Sequence, residues 1–366
     1  MSKLTTVLCC AGLFLAACSS DSNSSPPATT PPVVTPPGPT DDEQRAKAVQ
    51  AMHDALLVDV EALAKAVSDL KDAAPTPTGR GWDKTQDAAA IASMRAAWLR
   101  ARTAYEHIEG ALAPLFPDID TAIDARYDDF LTDLAGQGGD KYLFDGEGSP
   151  ACTRSSGSSS STRRLRASSR SRARSRATSP RRFPATQQEA ADFKDKLCAK
   201  LVKDTQTLVS EWTPAKIDVA IAYTGLVSLV EEQREKVVKA ATGEEESRYA
   251  QHTMTDLRDN LAGTKTVYAI FQPWLVSKTN GGPDLDKEIL AGLATLDAAY
   301  ASVQGEAIPE PPATWSAENP TPADLATPFG QLYAKVTAQV DALKKDSVVA
   351  KLNDAGGLLG FTLPGK

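Results

Sequence analysis

The stretch that decides the fold is Met94–Leu131, MRAAWLRARTAYEHIEGALAPLFPDIDTAIDARYDDFL. With Ile91 just ahead of it, its apolar residues Met94, Trp98, Ala101, Tyr105 and Ile108 recur at steps of three or four, the period of a helix with one buried stripe. The neighbouring face carries Arg102, Glu106 and Glu109. Spacings of four and three make this trio spatial neighbours, so two carboxylates point the same way. Pro114 and Pro117 then break the pattern, and an acidic run follows: Asp118, Asp120, Asp124, Asp128 and Asp129. Singly, each of these acids reads as a solvated helix face or an acidic loop. Together they put a dense set of carboxylates beside a core seam.

Outward from this stretch the helical period continues. Val49, Met52, Leu56, Val60, Leu63, Val67 and Leu70 form a first stripe, closed by Pro75-Thr76-Pro77. Thr213 and Pro214 are placed as N-cap and first residue of another helix, and Phe329, Leu332, Val336, Val340 and Leu343 mark a late one. Punctuation at Asn280-Gly281-Gly282-Pro283 and at 309–312 separates helices, and alternating β-type segments are absent. The expected fold is all-α, a pair of packed helix bundles.

The beginning of the chain reads differently. Lys3 precedes a short apolar segment that is too short to span a bilayer and ends in Leu15-Ala16-Ala17-Cys18. This ending resembles a bacterial lipoprotein box over residues 1–18, with Cys18 as the lipidated residue. Ser19 behind it resembles signals sorted to the outer membrane, and an ordinary cleaved signal is the alternative. Residues 19–41, rich in Ser, Thr and Pro, form an expected disordered tether, with the folded domain over 42–366. Beyond Cys9, Cys10 and Cys18, only Cys152 and Cys198 remain as a pair that could bridge.

Residues 149–182 break the helical pattern. They hold twelve Ser and ten Arg with no Asp or Glu, inside a chain whose 40 Lys and Arg face 47 acids. Without those ten arginines the net charge is −17 instead of −7. Such a segment reads as disordered, and its composition is that of a polyanion binder. That role fits poorly inside an acidic helical domain, and no nucleic-acid partner is expected.

The Met94–Leu131 stretch resembles the imelysin family and, within it, the Efe-type periplasmic iron-uptake lipoproteins. The likeness rests on Trp98, Arg102, Tyr105, Glu106 and Glu109, then on Phe116, Asp118, Asp120, Ile123, Asp124, Arg126, Asp128 and Asp129. A second segment, Thr242-Gly243-Glu244-Glu245 with Arg248, Tyr249, Asp256, Asn260 and Gly263, carries it further. The family also has a Gly-x-His-x-x-Glu motif where the Ser/Arg text stands. Back-translated with permitted codons and read one base earlier, residues 149–159 can spell Val-Thr-Gly-Met-His-Ala-Ile-Glu-Arg-Ile-Leu. A pair of compensating frameshifts would explain both the foreign composition and the missing motif.

Other chemistries lack their signatures: there is no Gly-x-x-x-x-Gly-Lys loop, no Gly-x-Ser-x-Gly elbow and no His-Glu-x-x-His helix. The only histidines are His53, His107 and His252. His53 reads as a boundary residue, and His107 lies one helical step away from the glutamates. His252 reads as a capping or hydrogen-bonded residue, with a metal ligand as the alternative. Asp256 and Asn260, four apart, read as buried polar partners linking two helices. The resemblance implies a metal site of Glu106, Glu109 and carboxylates among Asp124, Asp128 and Asp129, with Trp98, Arg102, Tyr105 and Arg126 in support. Such hard oxygen donors suit iron, or else zinc or manganese. The implied function is iron capture at the envelope and delivery to an inner-membrane permease. An imelysin-type metallopeptidase and a non-catalytic interaction lipoprotein are the alternatives.

Overall fold

Thr40 and Glu43 start the folded part by capping each other. The Thr40 hydroxyl accepts from the Glu43 N–H at 3.3 Å, and the Glu43 carboxylate accepts from the Thr40 N–H at 2.8 Å. Helix α1, Asp41–Ala73, follows, so the last two residues of the expected tether belong to the helix and its cap. The computed structural model describes residues 38–124, 184–242, 247 and 250–363. The tether, the Ser/Arg segment and Cys18 lie outside them, as do Arg126, Asp128, Asp129 and most of the Thr242–Tyr249 turn.

After α1 come α2, Ala88–Leu115, and α3, Pro117–Asp124. Then α4, Gln187–Asp192, runs through a π-helical turn, Phe193–Cys198, into α5, Ala199–Trp212. The chain continues with α6, Val219–Lys239; α7, Thr253–Val276; α8, Gly282–Ala301; α9, Pro322–Leu325; α10, Pro328–Val340; and α11, Val348–Leu358. Among the described residues there is no strand, as the continuous three-four period predicts.

Three local expectations change. Pro114 does not end α2, which runs one residue past it to Leu115. Thr213 closes α5, its hydroxyl donating back to the Val209 carbonyl at 2.7 Å. Asp218 starts α6 instead, its Oδ1 accepting from the N–H groups of Ala220 at 2.9 Å and Ile221 at 3.2 Å. In α10 the helix stops at Val340, and Leu343 lies beyond it, 94% exposed.

The described residues from Pro39 onward belong to one compact unit built as two bundles. In the first, α1 packs on α2 and α5, and α2 packs on α6 and α7. In the second, α8 and α10 pack on the same α6–α7 region, with α11 against α8 and α6. The α6–α7 pair is therefore common to both. One apolar core crosses it, from Met52 and Leu56 of α1 through Tyr223 and Phe271 to Val349 and Leu352 of α11. Each of these large side chains contributes about 1.5–3 kcal/mol by leaving water.

Two glycines set how closely α2 lies against its neighbours. A Cβ on Gly225 of α6 would sit 1.7 Å from the Gly110 carbonyl oxygen. A Cβ on Gly263 of α7 would sit 2.3 Å from that of His107. Pro114, having no N–H, leaves the Gly110 carbonyl without its helical donor, and that carbonyl is the one turned to Gly225. Glu106 and Glu109 each precede one of these contact points by a single residue, so their side chains enter the seam where the three helices meet.

Candidate functional site

Four helices converge polar groups on this seam. Helix α2 supplies Arg102, Glu106 and Glu109; α6 supplies Gln233 and Lys236; α7 supplies Asp256 and Asn260; α8 supplies Tyr300. All are buried. Lys236 Nζ donates to Glu109 Oε2 at 2.9 Å, to Asn260 Oδ1 at 2.8 Å and to Glu106 Oε2 at 3.4 Å. The Asn260 amide nitrogen donates to Glu106 Oε2 at 2.6 Å, to the Glu106 backbone carbonyl at 3.0 Å and to Glu109 Oε2 at 2.9 Å.

The amide of Asn260 is oriented by its neighbours. Gln233 Nε2 donates to Asn260 Oδ1 at 3.3 Å, and the Tyr300 hydroxyl donates to Gln233 Oε1 at 2.9 Å. At the other end, Arg102 Nη2 ion-pairs with Glu106 Oε1, and with Asp256 Oδ2 at 3.2 Å. Ser247 Oγ donates to the same Asp256 oxygen. Three carboxylates thus face two cations, leaving one negative charge in excess among these five residues. Burial pushes the Glu109 carboxyl up, but the Lys236 charge and the hydrogen bonds from Lys236 and Asn260 outweigh it and hold Glu109 below the usual range.

A second acidic group adjoins this network through Tyr105, whose ring lies under the Arg102 guanidinium at 5.8 Å. The Tyr105 hydroxyl donates to Asp120 Oδ1 at 2.8 Å. Burial, together with the charges of Asp124, Asp120, Glu109 and Glu106, pushes that hydroxyl well above its ordinary pKa. Burial likewise raises Asp120 to about 7, with the Glu109 charge adding to it. Asp124 is buried at the end of α3.

Of the predicted site residues, Glu106 and Glu109 come together as their spacing implied, with Arg102 and Tyr105 beside them. Trp98 lies one turn or more away, its ring edge-on to His252 at 5.7 Å. His252 is the N-cap residue of α7, and its Nδ1 lies 3.3 Å from Glu306 Oε2, in keeping with the hydrogen-bonded reading. His107 faces away from the glutamates, its Nδ1 3.4 Å from Asp59 Oδ2 on α1. Among the described residues no three His, Cys, Asp or Glu side chains form a group that could hold a metal ion. The donor set is therefore incomplete without further residues. Glu109 Oε1 is one of several buried side-chain polar atoms for which the described residues supply no hydrogen bond.

Sequence reasoning missed Lys236 and Gln233, and it named Asp120 without its partner Tyr105. The first two fall on the apolar stripe of α6 with Leu226, Leu229, Val230 and Val237, and polar residues at stripe positions were the available signal. Asp120 is brought to Tyr105 by the turn at Phe116, which spacing alone does not reveal. Among the described residues no helix is long and apolar enough to cross a membrane.

Compared with known proteins, the chain matches no curated protein. Residues 49–350 match the imelysin family, also designated peptidase M75, an extent that takes in all the helices carrying the polar seam. The chain belongs to the imelysin family.

Proposed function

We propose that this imelysin-family protein is a lipid-anchored protein of the cell envelope that captures iron, or a related divalent ion, as cargo for uptake through an inner-membrane permease. The observation that carries the reading is Glu109 Oε1, a buried carboxylate oxygen without a hydrogen bond from any described residue. A carboxylate so placed is a hard donor suited to iron, manganese or zinc. Asp120 and Asp124 lie close enough to act on the same Tyr105 hydroxyl, so further oxygen donors stand nearby. The Efe-type likeness of the two segments around Glu106 and Asn260 supports iron as the ion. The Leu-Ala-Ala-Cys18 ending supports a lipid anchor on the periplasmic side of the outer membrane. Lipid at Cys18 and a permease are the partners on this reading.

The test is titration of the purified full chain, freed of metal by chelator, with ferrous, ferric, manganous and zinc ions. Binding at micromolar concentration or tighter, with iron preferred, supports capture. The peptidase designation of the family favours a second reading, metallopeptidase activity. Metal-dependent hydrolysis of a protein substrate, lost in Glu109→Gln, would favour it over transport.

A further inference from the structure

We infer that Asn280 is a self-modifying site, where the chain deamidates without an enzyme and so carries a built-in ageing point between α7 and α8. The pair Asn280-Gly281 occurs once in the chain. It sits at the tip of a tight turn, which the Gly282 N–H closes by donating to the Lys278 carbonyl at 3.1 Å. Both residues of the pair are exposed. Gly281 has φ +105°, and a Cβ placed on it would meet nothing within 4 Å. Neither the Asn280 side-chain amide nor the Gly281 N–H has a hydrogen-bond partner among the described residues. The two reacting groups are thus adjacent, solvated and not held by other bonds.

The chemistry needs only water. Once the Gly281 amide loses its proton, its nitrogen bonds to Asn280 Cγ and the side-chain nitrogen leaves as ammonia. The product is a five-membered succinimide, which water opens at one of its two carbonyls. Opening at Cγ gives aspartate. Opening at the backbone carbonyl gives isoaspartate, in which the main chain runs through Cγ. One water enters, one ammonia leaves, and nothing is oxidised or reduced. A side chain on the following residue would crowd the attacking nitrogen, and glycine has none. The other described asparagines lack these conditions. Asn260 and Asn353 lie inside α7 and α11, whose helical ladders hold the following N–H, and Asn319 precedes Pro320, which has no N–H.

The two products act oppositely on the fold. Aspartate adds a carboxylate just ahead of the first turn of α8, where the helix dipole favours negative charge. Isoaspartate adds a carbon to the main chain inside a turn with no slack, since a Cβ on Gly282 would already lie 1.9 Å from the Leu275 carbonyl oxygen. The same turn carries Lys278, whose Nζ donates to Asp41 Oδ2 at 2.7 Å. Trp274 Nε1 donates to the other oxygen of Asp41 at 3.0 Å. Isoaspartate at position 280 therefore loosens the fastening of the first residue of α1 as well as the α7–α8 corner.

The test incubates the full chain in mildly alkaline buffer, digests it and follows every asparagine peptide by mass. A gain of about 1 Da is expected at Asn280 and at no other described asparagine. A synthetic peptide of residues 276–285 in the same buffer gives the rate without the fold. The folded chain is expected to react within fivefold of that rate; a slower reaction would mean that the turn protects Asn280, and would overturn the assignment. Asn280→Gln, whose ring would need six members, is expected to abolish the gain and to keep its melting temperature through the incubation. Aged wild type is expected to melt below fresh wild type, and freshly purified Asn280→Asp to melt with or above it. Equal losses in aged wild type and in Asn280→Asp, or in aged Asn280→Gln, would overturn the account of the damage.

Discussion

Lys236 Nζ lies 2.9 Å from Glu109 Oε2, and both groups are buried. An ammonium removed from water is costly unless its partners are complete, and here Glu106, Glu109 and Asn260 complete them. The pair locks α2 to α6 where the helix backbones already approach through Gly225. Several consequences can be measured.

Glu109→Ala is expected to weaken iron or zinc binding by tenfold or more, about 1.4 kcal/mol, because a site with few donors loses the oxygen best placed to serve. Calorimetric titration of wild type and variant checks it, and equal affinities would remove Glu109 from the site.

Asn260→Leu keeps the volume but deletes an amide that donates to both glutamates and accepts from Lys236 and Gln233. Glu106, Glu109 and Lys236 would stay buried with their charges poorly satisfied. A loss of about 3–5 kcal/mol is expected, read as a lower urea midpoint at unchanged slope.

Asp120 gives the protein a pH dependence of definite sign. Its folded-state pKa is raised to about 7 by burial, so the native state holds a proton that the unfolded chain has already released. Stability therefore falls as pH rises from the ordinary carboxylate range toward 7. In Asp120→Asn the Tyr105 hydroxyl keeps an acceptor and the charge is gone. The metal-free variant should melt with wild type at pH 4 and above it at pH 8. A constant difference across that range would contradict the assignment.

How much of this was legible in the sequence depended on the residues being local. The i, i+3 spacing of Glu106 and Glu109 was enough to put them on one face, and Asp256 and Asn260 read correctly as polar partners between helices. Lys236 carried a signal as a polar residue on an apolar stripe, but nothing in spacing says which helix faces α2. The start of α6 was also misplaced, since Thr213-Pro214 has the chemistry of a helix start yet occupies a helix end. Leu343 continued a stripe by count, but Asp341 had already left the helix, with backbone angles of φ −76° and ψ 102°.

Gly225→Ala is expected to cost about 1–3 kcal/mol or more, since its Cβ would meet a backbone oxygen that cannot move aside. Gly357→Ala, in α11, is the control. Its Cβ meets nothing within 4 Å, so the gain in helix propensity should leave the protein equal or slightly more stable. Thermal unfolding of the two variants side by side checks the contrast.

Resequencing the gene over residues 149–182 is expected to show a base gained or lost near Gly148 and a compensating change before Phe183. The corrected text should carry Gly-x-His-x-x-Glu. Confirmation of the Ser/Arg frame, with salt-dependent heparin binding by the purified chain, would contradict it.

The α6–α7 pair belongs to both bundles, and this makes the molecule cooperative in a particular way. Neither bundle has a full set of walls if the other comes apart, so a fluctuation that loosens α8 or α10 at one end is felt by the helices that carry Lys236 and Asn260 at the other. The polar seam lies on that shared pair, with α2 and α8 contributing Glu109 and Tyr300 to it. Mutational damage far from it, in the packing of α11 on α8, should spread through the whole fold and not stay confined to one half.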